Sequence, residues 1–436
     1  MKHIAIIADD LTGASDSGVQ FARKGLQTQV IFDVTQGSER SKATDVIVVD
    51  TDSRSVAPEA AYASVKEAAH QVRQAGFAHV YKKMDSTLRG NLGVEIDAVM
   101  DVIPFDFAVV APAFPKIGRT TLQGVHYLNG VPVNETEIAN DPKCPVHESD
   151  LVKLLSAQSR RKVGLISLDV LHAGKEQLFL QIQSLLEAKT ELIVFDAATE
   201  EDLQRIADWL AGSSYNALWA GSAGLADYIP QALSLPVHTG KSEQLAPSGK
   251  PVLLVAGSLS KVTRQQVASF NANPGVVAVE FDTVTAIASE EGTRQEIDRC
   301  KRELQSALAK GSDVSLYASS SPEQVALTRE AGSRRGFDST EVSNRIASTL
   351  GAIASELMRS AGLQGVILTG GDTARAVCRH LGVSGIQLVQ EIEAGIPLGL
   401  LISDLPLWVV TKAGAFGTEH SLANAKRILK GEHESE

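Results

Sequence analysis

Charged and hydroxyl-bearing side chains gather just after three apolar runs in the first hundred residues. Ile4-Ala5-Ile6-Ile7-Ala8 leads straight into Asp9 and Asp10, then Leu11-Thr12-Gly13-Ala14-Ser15-Asp16. Two adjacent carboxylates at a strand end repel unless something cationic or polar answers them. They could bind substrate hydroxyls, accept a proton or hold a metal; the competing explanation is that one of them caps a helix beginning near Thr12. Asp50-Thr51-Asp52-Ser53-Arg54 follows the next such run. Arg54 could fork onto a carboxylate or make a surface ion pair. Lys82-Lys83-Met84-Asp85-Ser86-Thr87-Leu88-Arg89-Gly90 follows a third. That mixture suits an acid-bearing polyol, with cations for the carboxylate and an aspartate for hydroxyls, or else an exposed polar loop. Taken together, the three strand ends outline one concave site for an anionic, hydroxyl-rich ligand. His126, in a Gly- and Pro-punctuated stretch from Pro112 to Gly130, is expected to be a hydrogen-bonded structural histidine.

The second half repeats the design with glycine. Gly257-Ser258, Gly370-Gly371-Asp372-Thr373 and Lys412-Ala413-Gly414 each follow an apolar run. Glycines there let backbone N–H groups approach a phosphate, and a following helix N-terminus favours negative charge. Each turn alone needs glycine for backbone reasons, but three in one half suggest a nucleotide cradle. Ser258, Gly370, Gly371, Asp372, Thr373 and Gly414 are the expected nucleotide contacts, with Asp372 a candidate for Mg²⁺. Gly240-Lys241-Ser242 resembles the end of a P-loop, but position 235 is leucine, and no GxGxxG follows a strand. Gly221-Ser222-Ala223-Gly224 reads as a tight turn, not a nucleophile site.

Elements must position these groups. Strands are expected at Ile4–Ala8, Gln29–Phe32, Val46–Asp50, Ala78–Lys82, Phe107–Val110, Val163–Ser167, Leu192–Phe195 and Ala217–Ala220. An amphipathic helix is expected from Pro58 to Gln74. After a polar stretch, Val237–Lys250, a second block has strands at Pro251–Ala256, Val276–Phe281, Val314–Tyr317, Gly365–Thr369, Ile386–Val389 and Leu407–Thr411, and a helix near Ser339–Arg359. The fold class is therefore α/β, with two domains (1–236 and 251–436, joined by a linker at 237–250). Each is a mainly parallel sheet flanked by helices, and the active site is expected in the cleft between them. Lys430 to Glu436 reads as a solvated tail.

The 436 residues carry a formal charge of −11, and no Lys/Arg run offers a phosphate-tracking stripe, which argues against general nucleic-acid binding. Three scattered cysteines offer neither a zinc cluster nor a disulfide framework and suit a cytoplasmic protein. No stretch is apolar enough for a membrane span, and no secretion signal precedes the first strand.

The motifs Ala8–Asp16, Lys82–Gly90, the Pro112–Val133 stretch, Gly257–Ser260, Leu368–Thr373 and Lys412–Gly417, in this order, resemble the four-carbon acid sugar kinase family. The resemblance implies an ATP-dependent transfer of phosphate to the terminal hydroxyl of a four-carbon sugar acid. The acid would lie on the N-terminal domain, and ATP with Mg²⁺ on the C-terminal domain. Asp16–Gln20 and Thr136–Val146 look more like D-threonate or D-erythronate kinases than 3-oxo-tetronate kinases. Asp10 or Asp85 is expected as the base, with Asp10, Arg54, Lys82, Lys83 and Asp85 on the substrate. The small-molecule acid is the expected partner; a homodimer fits the family, although the sequence carries no interface signature. The alternative of another class is a non-catalytic sensor of a small acid and a nucleotide.

Overall fold

The computed structural model describes residues 3–32, 44–141, 143–236, 245–246 and 248–432. Its contacts divide the chain into two compact units, Met1–Gly240 and Lys241–Glu436. Most of the expected linker, including Gly240-Lys241-Ser242, lies outside the described residues.

The first unit contains eight sheet strands: β1 (Ile4–Ala8), β2 (Thr28–Ile31), β3 (Val46–Asp50), β4 (His79–Lys83), β5 (Phe107–Ala111), β9 (Val163–Ile166), β10 (Leu192–Phe195) and β11 (Ala217–Gly221). Between β5 and β9 the short strands β6 (Arg119–Leu122), β7 (Val125–Leu128) and β8 (Val131–Pro132) form a small antiparallel sheet. Its two turns carry Gln123-Gly124 and Asn129-Gly130, all at positive φ, as tight hairpins require. In the larger sheet the order is β2-β3-β1-β4-β11-β5-β10-β9, and every pair is parallel. Every residue of β1, β3, β5, β10 and β11 is buried, which is why these strands read as continuous apolar runs.

Three helices matter for the site: α1 (Leu11–Ala22), α2 (Pro58–Ala75) and α3 (Leu92–Met100). Proline in the first turn of α2 and a left-handed Gly76 after its last residue delimit it. Its buried stripe is Ala61, Val65, Ala68, Ala69 and Val72, the face expected from the spacing.

The second unit has β12 (Val252–Ala256), β13 (Val276–Phe281), β14 (Asp313–Ala318), β15 (Gly365–Thr369), β16 (Gly385–Glu393), β17 (Ile396–Ile402) and β18 (Trp408–Lys412). Their order is β13-β14-β12-β15-β18-β17-β16. The first five are parallel, and β16–β17–β18 are antiparallel. Helices α4 (Lys261–Asn271), α5 (Ser339–Ser360), α6 (Gly371–Leu381) and α7 (Ser421–Lys430) flank it.

The structure differs from expectation in three places. Strand β17 was not anticipated, because Pro397 and Gly399 interrupt its apolar run; Pro397 is accommodated beside a register shift between Glu391 and Glu393. Its partner β16 accordingly extends well beyond Ile386–Val389. Lys430 belongs to no tail: it ends α7 and pairs with Asp313 at 2.9 Å. Residues 433–436 lie outside the described set.

Candidate active site

Because β1 lies between β3 and β4 and all three run parallel, their carboxyl ends stand side by side. The three polar segments singled out from the sequence are thereby brought together. Arg54 is the hub. Its Nε donates to Asp9 Oδ2 at 2.7 Å, and its Nη2 donates to Asp9 Oδ1 at 3.0 Å and Asp10 Oδ1 at 2.5 Å. Asp85 Oδ1 lies 3.6 Å from the same Nη2. The backbone N–H groups of Ser53 and Arg54 donate to the Asp9 carbonyl, and Asn91 holds the carbonyls of Ser53 and Val56, so the turn that carries Arg54 is tied at both ends.

The electrostatics follow from this packing. Burial works to raise the Asp9 carboxyl, but Arg54, with Lys83 and Lys82 adding to it, holds the group below its usual range. Burial opposes the Arg54 charge as well; Asp10, Asp9 and Asp85 overcome it and hold the guanidinium well above its ordinary value. Asp85 is gripped by Arg89, Nε to Oδ2 and Nη2 to Oδ1 at 3.0 Å each, and by the Thr87 hydroxyl at 2.5 Å. Against burial, Arg89 and Arg54 drive its carboxyl well below normal. Asp10 is both helix cap and site residue: Oδ1 accepts the Gly13 N–H at 2.8 Å and Oδ2 accepts the Thr12 hydroxyl at 2.6 Å. Its side chain is 16% exposed, against 9% for Asp85 and 1% for Asp9, so it is the most accessible of the three acids.

The two lysines part company. Successive strand residues point to opposite faces. Lys83 turns toward α1, where a methyl group added at Gly13 would stand 2.9 Å from its Nζ and 2.6 Å from Asp10 Oδ1. Its ammonium donates to the Met84 carbonyl at 2.9 Å and makes no ion pair among the described residues. Lys82 instead points to α3, where Nζ meets Glu95 Oε2 at 2.7 Å and the Lys83 carbonyl at 2.6 Å, with its side chain 2% exposed. Lys82 was expected on the substrate; its charge is already paired inside the protein, which speaks against a direct contact with a ligand. Glu95 also accepts from Ser53 Oγ at 2.7 Å, so this internal pair braces the Arg54 turn.

Sequence reading missed Glu95, counted Arg89 only among the cations of its loop and assigned no role to Arg119. The signal for Glu95 was an acid, one of two with Asp97, in the largely apolar stretch Leu92–Met100. Arg119 is buried and feels Asp85 and Asp16, which places a further cation beside the cluster. His126 is fully buried, with Nδ1 2.9 Å from Thr121 Oγ1 and Nε2 2.9 Å from the Ser86 carbonyl. It is the structural histidine expected, and it braces the Asp85 loop. Ser222 caps a short helix and donates to the Ala113 carbonyl, in keeping with a turn.

In the second unit, β12, β15 and β18 are neighbours, so their three glycine turns also converge. A side chain on Gly257 would collide with Thr373 Oγ1, and one on Gly414 with Ser258 Oγ. Gly370, at φ 99°, is the cap residue of α6 and lies against Ser258. Gly371 and Thr373 thus open α6 beside Ser258 and Gly414. Asp372, in the same first turn, is exposed, and no group of three potential metal ligands occurs among the described residues. Lys412, fully buried at the end of β18, donates to the carbonyls of Ala413, Gly414 and Phe416. Burial pushes its ammonium down to about 7, with Glu393 pulling the other way.

One unit thus gathers acids and cations at three strand ends, and the other gathers three glycine turns. Residues 4–229 match the model of a sugar-binding N-terminal domain, and residues 253–422 that of a nucleotide-binding C-terminal domain. A D-threonate kinase of Salmonella typhimurium is 35% identical over 98% of this chain and 97% of its own. A D-erythronate kinase of Heliobacterium modesticaldum is 36% identical over 96% and 94%. A crystal structure of a Salmonella typhimurium LT2 protein superposes with a TM-score of 0.80 at 25% identity, covering 98% of this chain and all of that one. The chain belongs to the four-carbon acid sugar kinase family.

Proposed function

We propose that this protein transfers the terminal phosphoryl group of ATP to the 4-hydroxyl of a four-carbon sugar acid, D-threonate being the favoured substrate. The observation that carries the reading is the cluster of Asp9, Asp10, Arg54, Lys83 and Asp85 at three adjacent strand ends. Lys83 supplies the cation for the substrate's oxygens, and Arg54, fixed by Asp9, holds Asp10 in place. Asp10 is the base. It is the accessible carboxylate, whereas Asp85, with Arg89 forked across both oxygens and its carboxyl held low, is a poor proton acceptor and orients hydroxyls.

In the step, Asp10 takes the proton of the terminal hydroxyl, the hydroxyl oxygen bonds to the γ-phosphorus, and the bond from that phosphorus to the β–γ bridging oxygen breaks to release ADP. Such a transfer is mostly positioning and charge neutralisation. The turns at Ser258, Gly370–Thr373 and Gly414 hold the nucleotide. Asp372, exposed in the first turn of α6, is the residue that would hold Mg²⁺, which would neutralise charge on the nucleotide's phosphates. Direct transfer requires that a nucleotide held by one unit reach a hydroxyl held by the other.

ATP consumption with Mg²⁺ against D-threonate, D-erythronate, L-threonate, L-erythronate and the 3-oxo acid tests the reading. Highest turnover is expected on D-threonate. Preference for another acid of the panel would reassign the substrate; binding of acid and nucleotide without turnover would leave a sensor in place of a kinase.

A further inference from the structure

Lys412 is an unusual residue to find fully buried, since a lysine seldom leaves water without a matching acid. Its Nζ donates to three backbone carbonyls of the turn that follows it, Ala413 at 2.7 Å, Gly414 at 3.1 Å and Phe416 at 3.1 Å. Two residues of α4 hold the same turn from within. Thr263 Oγ1, buried, donates to the Gly414 carbonyl at 2.8 Å. Gln266 Nε2 donates to the carbonyls of Phe416 at 2.9 Å and Thr418 at 2.7 Å.

A trans peptide places its C=O and N–H on opposite sides. Carbonyls drawn inward at 413, 414 and 416 therefore send the N–H groups of Gly414, Ala415 and Gly417 the other way. Successive amides aimed to one side form an anion-binding concavity. Gly414 also lies against Ser258, whose Oγ a side chain at that position would strike.

We propose that Lys412, with Thr263 and Gln266, is a positioning set that inverts this turn, so that the amides of Gly414, Ala415 and Gly417 grip the phosphates of the nucleotide. Lys412 does not touch the nucleotide itself; it acts through the carbonyls. The proposal rests on the reading of the second unit as the ATP site, and adds which groups meet phosphate and what holds them there.

Steady-state kinetics in ATP and in the sugar acid test it, on the full-length protein and on K412M, K412R and T263V. Loss of the Lys412 donors in K412M is expected to raise the KM for ATP by about tenfold or more, with the KM for the acid within about twofold. K412R, which keeps a charged donor, should recover part of the loss. T263V, which removes a single donor, should raise the KM for ATP about threefold, and it decides the matter if K412M fails to fold. Wild-type KM for ATP in K412M and T263V, or equal rises in both KM values, overturns the positioning role while leaving the kinase standing. Absence of saturation by ATP in the wild-type protein overturns both.

Discussion

Asp10, the proposed base, is also a structural residue. It caps α1 through the Gly13 N–H and still presents the most exposed carboxylate of the cluster. Asn at this position keeps a capping oxygen, so D10N should leave the melting temperature nearly unchanged while lowering kcat by about 10² or more, with the KM for ATP intact. A loss of ATP affinity instead would move Asp10 out of the acid site. The two lysines make opposite predictions. K82M leaves Glu95 buried and unpaired and should destabilise by about 3–5 kcal/mol in urea unfolding. K83M should spare stability and raise the KM for the acid; matching behaviour of the two variants would contradict their assignment to opposite faces. His126 gives the pH dependence. Burial lowers its folded pKa to about 4, below the ordinary value near 6.5, so the unfolded chain binds a proton that the folded chain refuses in that interval. Its contribution is full above about pH 6.5 and is lost as pH falls toward about 4, roughly 3 kcal/mol in all. Urea midpoints between pH 7 and 4 should fall more steeply for the wild type than for H126N, and parallel slopes would remove His126 as the cause.

At the scale of elements, strand ends carry the residues proposed for the chemistry, and the helices behind them set their geometry. Gly13 occupies the first turn of α1 because a side chain there would press on Asp10 Oδ1 and Lys83 Nζ. Both are ends of side chains and can yield, so G13A should unfold near the wild-type temperature and yet lose activity on the acid by displacing those two groups. Retained activity would show that the α1 turn tolerates a shifted Lys83. The motifs were legible because local chemistry writes them: a continuous apolar run for a strand buried on both faces, an aspartate for a cap, glycine for Gly370 at positive φ. β17 was illegible because Pro397 and Gly399 carry a local signal against a strand, and only pairing with β16 and β18 overrides it.

For the molecule as a whole, the two units match a sugar-binding and a nucleotide-binding domain, so on the proposed reading the ligands should stabilise separately. At about 100 times its Kd a ligand adds about 2.7 kcal/mol to the unit it binds. Calorimetry is expected to show D-threonate and an ATP analogue each raising a transition midpoint, with D10N abolishing the response to the acid alone. Loss of both responses in D10N would mean that the two sites are not separable. No helix among the described residues is long and apolar enough to cross a membrane.

The chain's local patterns already determined an α/β architecture in two parts, an acid-rich set of turns in one and a glycine-rich set in the other. Those features depend on neighbours within a turn or two of backbone. What the tertiary structure decided is who meets whom. Arg54 reaches Asp9 across 45 positions because β1 pairs with β3, and Lys82 goes to Glu95 while Lys83 goes to the site because the pleat separates them. Lys412 turns into its own loop where α4 supplies the remaining donors. Strand order and helix docking come from burial summed over the whole sheet, so no short stretch of sequence contains them.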